Sequence, residues 1–146
     1  MNVSIGYKAR AKDSLGNWVY GYVVQHNSGM VSIESPCGSF YVDPSTLCKL
    51  VFTHSSDEFY EKDIVTWFGG DSTAQIIFDK NSFAYVLHWS KMNKEGKATD
   101  VFIPLVHGVP LQGTLEEFMD AIRYKVVGNV FDDPHLIKVL PYTEVV

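Results

Sequence analysis

The chain has 146 residues, the size of one ordinary domain, and can bury a core without disulfides or structural metal, although two small β subdomains would also fit. With 17 Asp and Glu against 12 Lys and Arg, its net charge of −5 argues against nonspecific attraction to a phosphate backbone unless a local basic patch exists, and the basic residues are scattered. Eight Tyr, nine Phe and three Trp suit half-buried pleated surfaces better than helix faces, so a mainly β class is expected.

"NVSIGYKARA" places Val3, Ile5, Tyr7 and Ala9 on alternate positions, the period of a strand with one buried face. After the polar "KDSLGN", "WVYGYVV" puts Trp18, Tyr20 and Tyr22 on one side and Val19, Gly21 and Val23 on the other, as a hairpin partner would. Short strands follow at 30–34 and 39–42, joined through "SPCG". Asp43-Pro44 opens a turn, and the polar stretch after Phe52 reads as the boundary between an N-terminal hairpin region, 1–54, and a second region, 55–146.

That second region begins with one strand, "YEKDIVTWF", ending at Gly69-Gly70. "TAQIIFD" and "FAYVLHW", separated by "KNS", form a hairpin, and "KMNKEGK" turns the chain into "ATDVFIPLV". Such a run suggests a small barrel or curled sheet. Past the loop "HGVPLQG", "TLEEFMDAI" reads as a helix over 114–122, with Thr114 and Glu117 as a capping box and Leu115, Phe118, Met119 and Ile122 as its apolar face. A final strand, Tyr124 to Phe131, carries a kink at Gly128-Asn129, and Asp132-Asp133-Pro134 starts a short helical turn.

Three blocks resemble the YopX family of small phage- and prophage-encoded proteins: "YKARAKDSLGNWVYGYVV", "FYEKDIVTW" with the hairpin after it, and "YKVVGNVFDDPHLI". The last is the most specific, since Val126, Val127, Gly128, Asn129, Val130, Pro134 and Leu136 sit at the family's relative positions, whereas Lys62 stands where the family usually has Gly. The resemblance implies a mostly β protein with a small SH3-like barrel in its second half, encoded by a phage or prophage and acting in the bacterial host cytoplasm. It implies no agreed biochemical role.

The residues give little sign of catalysis. No Cys-x-x-Cys, His-Glu-x-x-His, P-loop, Gly-x-Gly-x-x-Gly or Gly-x-Ser-x-Gly pattern occurs. His26, His54, His88, His107 and His135 are separated in sequence, with His88 reading as a packed or edge histidine, and Cys37 and Cys48 as a turn residue and a small hydrophobe. No metal or cofactor is expected. No apolar run approaches a membrane span and "MNVSIGYKAR" lacks a leader pattern, so a soluble cytosolic protein with reduced thiols is expected.

What remains is binding. Asp57, Glu58, Glu61 and Asp63 form either a solvated loop or an acidic patch for a basic partner surface, as in an inhibitor of a nucleic-acid-binding host protein of the anti-CRISPR kind. Trp18, Tyr20 and Tyr22 read as core packing or a protein interface. The alternative function is a nucleic-acid or nucleotide-ligand module stacking on Trp67, Tyr85 and Trp89. Aromatic strands with open edges also favour a homo-oligomer.

Overall fold

The computed structural model describes residues 6–13, 16–70, 72–105, 115–137 and 139–140. Val3, Ile5, Thr114 with its capping box, the loop 107–113 and the side chains of Leu115 and Phe118 lie outside them. The protein is mainly β, with one short helix near its C-terminus, and divides into two compact units, Met1–Glu61 and Lys62–Val146.

In the first unit, β1 (Tyr7–Arg10), β2 (Trp18–Gln25), β3 (Val31–Ser35), β4 (Gly38–Tyr41), β5 (Cys48–His54) and β6 (Asp57–Tyr60) form a six-stranded antiparallel sheet in the order β4-β3-β2-β1-β5-β6. Facing residues in an antiparallel ladder share a face and neighbours in a strand point oppositely, so the register assigns every side chain to one face. Ala9, Val31, Ile33 and Val42 make a core on one face, with Tyr7, Val19, Val23 and Leu47 packed against it. Burying a side chain such as Ile33 contributes roughly 1.5–3 kcal/mol. Gly21 lies on that face opposite Tyr7, and glycine is needed there because a Cβ would meet the Glu34 carbonyl oxygen at 2.0 Å.

The polar stretch expected as a boundary near residue 54 falls inside this unit, as the turn of the β5–β6 hairpin. Ser55 and Ser56, at φ 48 and 71, both take left-handed conformations, as the residues of a type I′ turn do. Neither is the Gly or Asn that usually announces such a turn.

The expected strand "YEKDIVTWF" is two strands. Lys62, at φ 67, turns the chain between β6 and β7 (Asp63–Thr66), so the first belongs to one unit and the second to the other. In the second unit, β7, β8 (Ala74–Asp79), β9 (Ala84–Met92), β10 (Ala98–Pro104) and β11 (Lys125–Asn129) are ordered β10-β9-β8-β7-β11, and β12 (Val139–Leu140) pairs in parallel with β9. The final long strand returns to the first one of the unit, but the expected barrel is not closed. Among the described residues β10 has no partner beyond β9, and β10 and β11 are the two ends of the strand order. Ile64, Val65, Ala74, Ile76, Val86 and Leu87 are buried, as are Met119 and Ile122 from α1 (Leu115–Ile122).

The kink at Gly128 is a bulge, the β7–β11 register shifting between Val126 and Gly128. Asn129 organises the turn after it. Its side-chain oxygen accepts from the Phe131 and Asp132 amides at 3.0 and 2.9 Å, and its side-chain nitrogen donates to Asp132 at 2.9 Å. Asp133, at the start of the 3-10 turn Pro134–Leu136, does not cap that turn with its side chain; its carboxylate instead accepts from the Asn129 amide at 3.2 Å, packed where a Cβ on Gly128 would lie. The turn is thus closed by hydrogen bonds of the Asn129 side-chain amide and the Asp133 carboxylate.

Candidate functional site

The face of the first sheet opposite its core carries Lys8 and Arg10 from β1, Trp18, Tyr20 and Tyr22 from β2, Ser32 and Glu34 from β3, and Ser39 and Tyr41 from β4. Two ends differ in character. At one, Lys8 is only 7% exposed, its ammonium 5.0 Å from the ring centres of both Trp18 and Tyr60, and the Arg10 guanidinium is 5.4 Å from Trp18. These cations lie against aromatic rings. The basic neighbours missing from β2 itself therefore come from β1, a pairing invisible along a single strand.

At the other end, hydrogen bonds converge on Glu34. Ser32 and Ser39 hydroxyls donate to its two carboxylate oxygens, and the His26 Nε2 lies 2.9 Å from the Ser32 oxygen. With the Ser32 hydroxyl donating to Glu34, His26 Nε2–H is the donor to the Ser32 oxygen. The His26 ring leans on Tyr41, 5.5 Å between centres. Tyr22 stands directly opposite Glu34 in the ladder. Tyr20, Tyr22 and Tyr41 are 50, 47 and 52% exposed, so about half of each large amphipathic side chain is offered to solvent.

The four carboxylates expected to act together do not form one patch. Asp57 and Glu58 are exposed but adjacent in β6, so their side chains leave opposite faces. Glu61 accepts from the Lys49 amide at 2.7 Å, and Asp63, 2% exposed, is buried at the start of β7.

In the second unit, Trp67 and Trp89 come together, ring centres 5.9 Å apart, and are half-buried. Tyr85, four residues back along β9 and so about 13 Å away, packs edge-on against Phe78 instead, at 5.3 Å. The expected stacking trio is a pair plus a separate cluster. That cluster ends in Phe83, which belongs to the hairpin turn rather than to the strand; it takes φ 54 and is 82% exposed.

His88 is packed between partners. The Gln75 side-chain amide donates to Nδ1 at 2.9 Å and Nε2 donates to Asp100 at 3.0 Å, which sets the neutral Nε2–H tautomer, while Phe102 lies 4.9 Å from the ring. The hydrogen bond from His88, then that from Ser90, holds the Asp100 carboxyl below its ordinary value. Burial pushes the Tyr124 phenol up, and it donates to the Leu105 carbonyl at 2.7 Å.

Among the described residues no group of three or more His, Cys, Asp or Glu is placed to hold a metal ion, and no helix is long and apolar enough to cross a membrane. Tyr41, Glu34 and His26 were not among the expected binding residues. Following alternate positions from Tyr22 through the "SPCG" turn would have put Glu34 and Tyr41 on its face, had the register been known. Compared with protein-family models, with curated proteins and with solved structures, the chain matches none.

Proposed function

We propose that this is a non-enzymatic binding protein that engages a macromolecular partner through the open face of its first sheet, with Tyr20, Tyr22 and Tyr41 as contact residues. The observation that carries this reading is the exposure of three tyrosines on one face, opposite a complete aliphatic core. Such side chains supply large contact area for few rotatable bonds and are enriched at protein interfaces. The YopX-like blocks support a phage- or prophage-encoded protein whose partner belongs to the bacterial host or the phage, and modulation of a host defence is one form this takes. The tyrosine face replaces the acidic quartet as the basis of the reading, because Asp63 is buried and Glu61 is engaged.

The test is affinity capture from bacterial lysate with the wild-type protein and with Tyr20→Ala/Tyr22→Ala/Tyr41→Ala, followed by mass spectrometry. A partner held by the wild type should be absent from the variant, whose far-UV circular dichroism stays native. Equal capture of that partner by both proteins would end the proposal.

A further inference from the structure

We infer that the Glu34 end of this face is a recognition site for an arginine side chain presented by the partner. The inference rests on the proposed tyrosine-face reading and adds the chemistry of what that face takes.

Three observations carry it. First, Glu34 has donors on both oxygens, the hydroxyls of Ser32 and Ser39. A carboxylate offers about four lone-pair positions, so roughly two stay open, the number that a guanidinium fork occupies. Second, hydroxyl donors neutralise no charge. Of the cations on this side of the sheet, Lys8 and Arg10 lie against Trp18 and Tyr60, and Lys12, whose amide donates to the Tyr41 carbonyl at 2.9 Å, has its charge beside Asp43. Glu34 accordingly keeps its charge for a partner, on a chain of net charge −5. Third, Tyr22 faces Glu34 across the β2–β3 ladder, its Cβ about 5 Å away as facing residues are. Tyr41 belongs to the next strand but one from Tyr22, on the same face. A planar guanidinium that pairs with Glu34 can therefore also lie on a half-exposed tyrosine ring.

Charge complementarity selects a cation. The combination of a two-point acceptor and flat π surfaces selects arginine over lysine, whose ammonium is a compact point charge without a fork. The Ser32–Glu34–Ser39 bonds also hold the carboxylate in place before the partner arrives, which reduces the ordering cost of binding.

The full chain can be titrated with a blocked Gly-Gly-Arg-Gly-Gly peptide and with the same peptide carrying lysine or citrulline in place of arginine, read by 1H–15N chemical-shift changes. Arginine should shift residues of β2 to β4 around Tyr22, Glu34 and Tyr41, and the neutral isostere citrulline should bind at least about tenfold more weakly, with lysine between them. Glu34→Gln keeps the shape but removes the charge and turns one of the two acceptor oxygens into a donor, and should lose about tenfold in arginine affinity; Tyr22→Leu tests the ring separately and should lose a smaller factor. Equal binding of arginine and citrulline, or arginine binding untouched by Glu34→Gln, overturns the inference. Failure of the tyrosine-face reading looks different: the triple tyrosine variant would still capture the macromolecular partner.

Discussion

The two units each display a polar network on an antiparallel sheet, and they use it oppositely. Around His88 the donors and acceptors answer one another. Gln75 takes Nδ1, Asp100 takes Nε2 and Phe102 covers the ring, so the imidazole is spent on holding β8, β9 and β10 in register. Around Glu34 the network gives each carboxylate oxygen one hydroxyl donor and leaves its remaining lone pairs beside half-exposed tyrosines. A satisfied network stabilises; a partly open one is available for recognition. Clustered polar residues alone do not distinguish these cases, and counting the remaining lone pairs does.

The largest perturbation of the first unit should come from Gly21→Ala. Its Cβ would press on backbone, the Glu34 carbonyl, which cannot swing aside as a side chain can. We expect a loss of about 3 kcal/mol and faster amide exchange in β2 and β3, with exchange in β8 to β10 unchanged. If β8 to β10 were equally affected, the two faces would not be independent.

Asn129→Ala strikes the second unit. It removes an acceptor shared by two amides and a donor to Asp132, at a cost of about 1.5 kcal/mol in chemical denaturation, and should leave arginine-peptide binding intact. In the opposite direction, Ser55→Asn/Ser56→Gly supplies residues suited to the left-handed β5–β6 turn and should add about 1 kcal/mol without changing the tyrosine face. A change in binding from that remote turn would mean that the face depends on the strand edge as well.

The smallest effect concerns pH. Hydrogen bonds from Ser45, Ser82 and His88 hold the exposed carboxyls of Asp43, Asp79 and Asp100 below their ordinary value of 3.8. A group depressed in the folded state contributes stability above its unfolded pKa and loses it as pH falls through the folded value. The contribution of these three groups should accordingly be lost below about pH 4. Asp100→Asn should flatten part of this decline in melting temperature while leaving the Glu34 site as it is. The opposite sign, stability rising on acidification in this range, would contradict the assignment of these bonds.

Much of the β framework was legible because alternation survives in Trp18 to Val24 and because short polar turns, one with Asn81 and one with Asn93 and Gly96, mark the hairpins at 80–83 and 93–97. The misread places share one cause. Ser55, Ser56, Lys62 and Phe83 are non-glycine residues in left-handed conformations, imposed by the pairing on either side and carrying no glycine signal. That is why a hairpin looked like a boundary and two strands looked like one. The candidate site was half legible: Tyr20 and Tyr22 could be seen on one strand, but Glu34 and Tyr41 reach them only through the register of β2, β3 and β4, and Lys8 reaches Trp18 only through the pairing of β1 with β2. An acidic run in sequence, conversely, was scattered by the alternation of β6 and the burial of Asp63.

The most direct test of the account is amide hydrogen exchange of the protein free and bound to the partner it captures. Protection gained across Trp18–Tyr41, greatest around Tyr22 and Glu34, is the predicted result. Protection gained only within Lys62–Val146, with β2 to β4 exchanging as in the free protein, would contradict it.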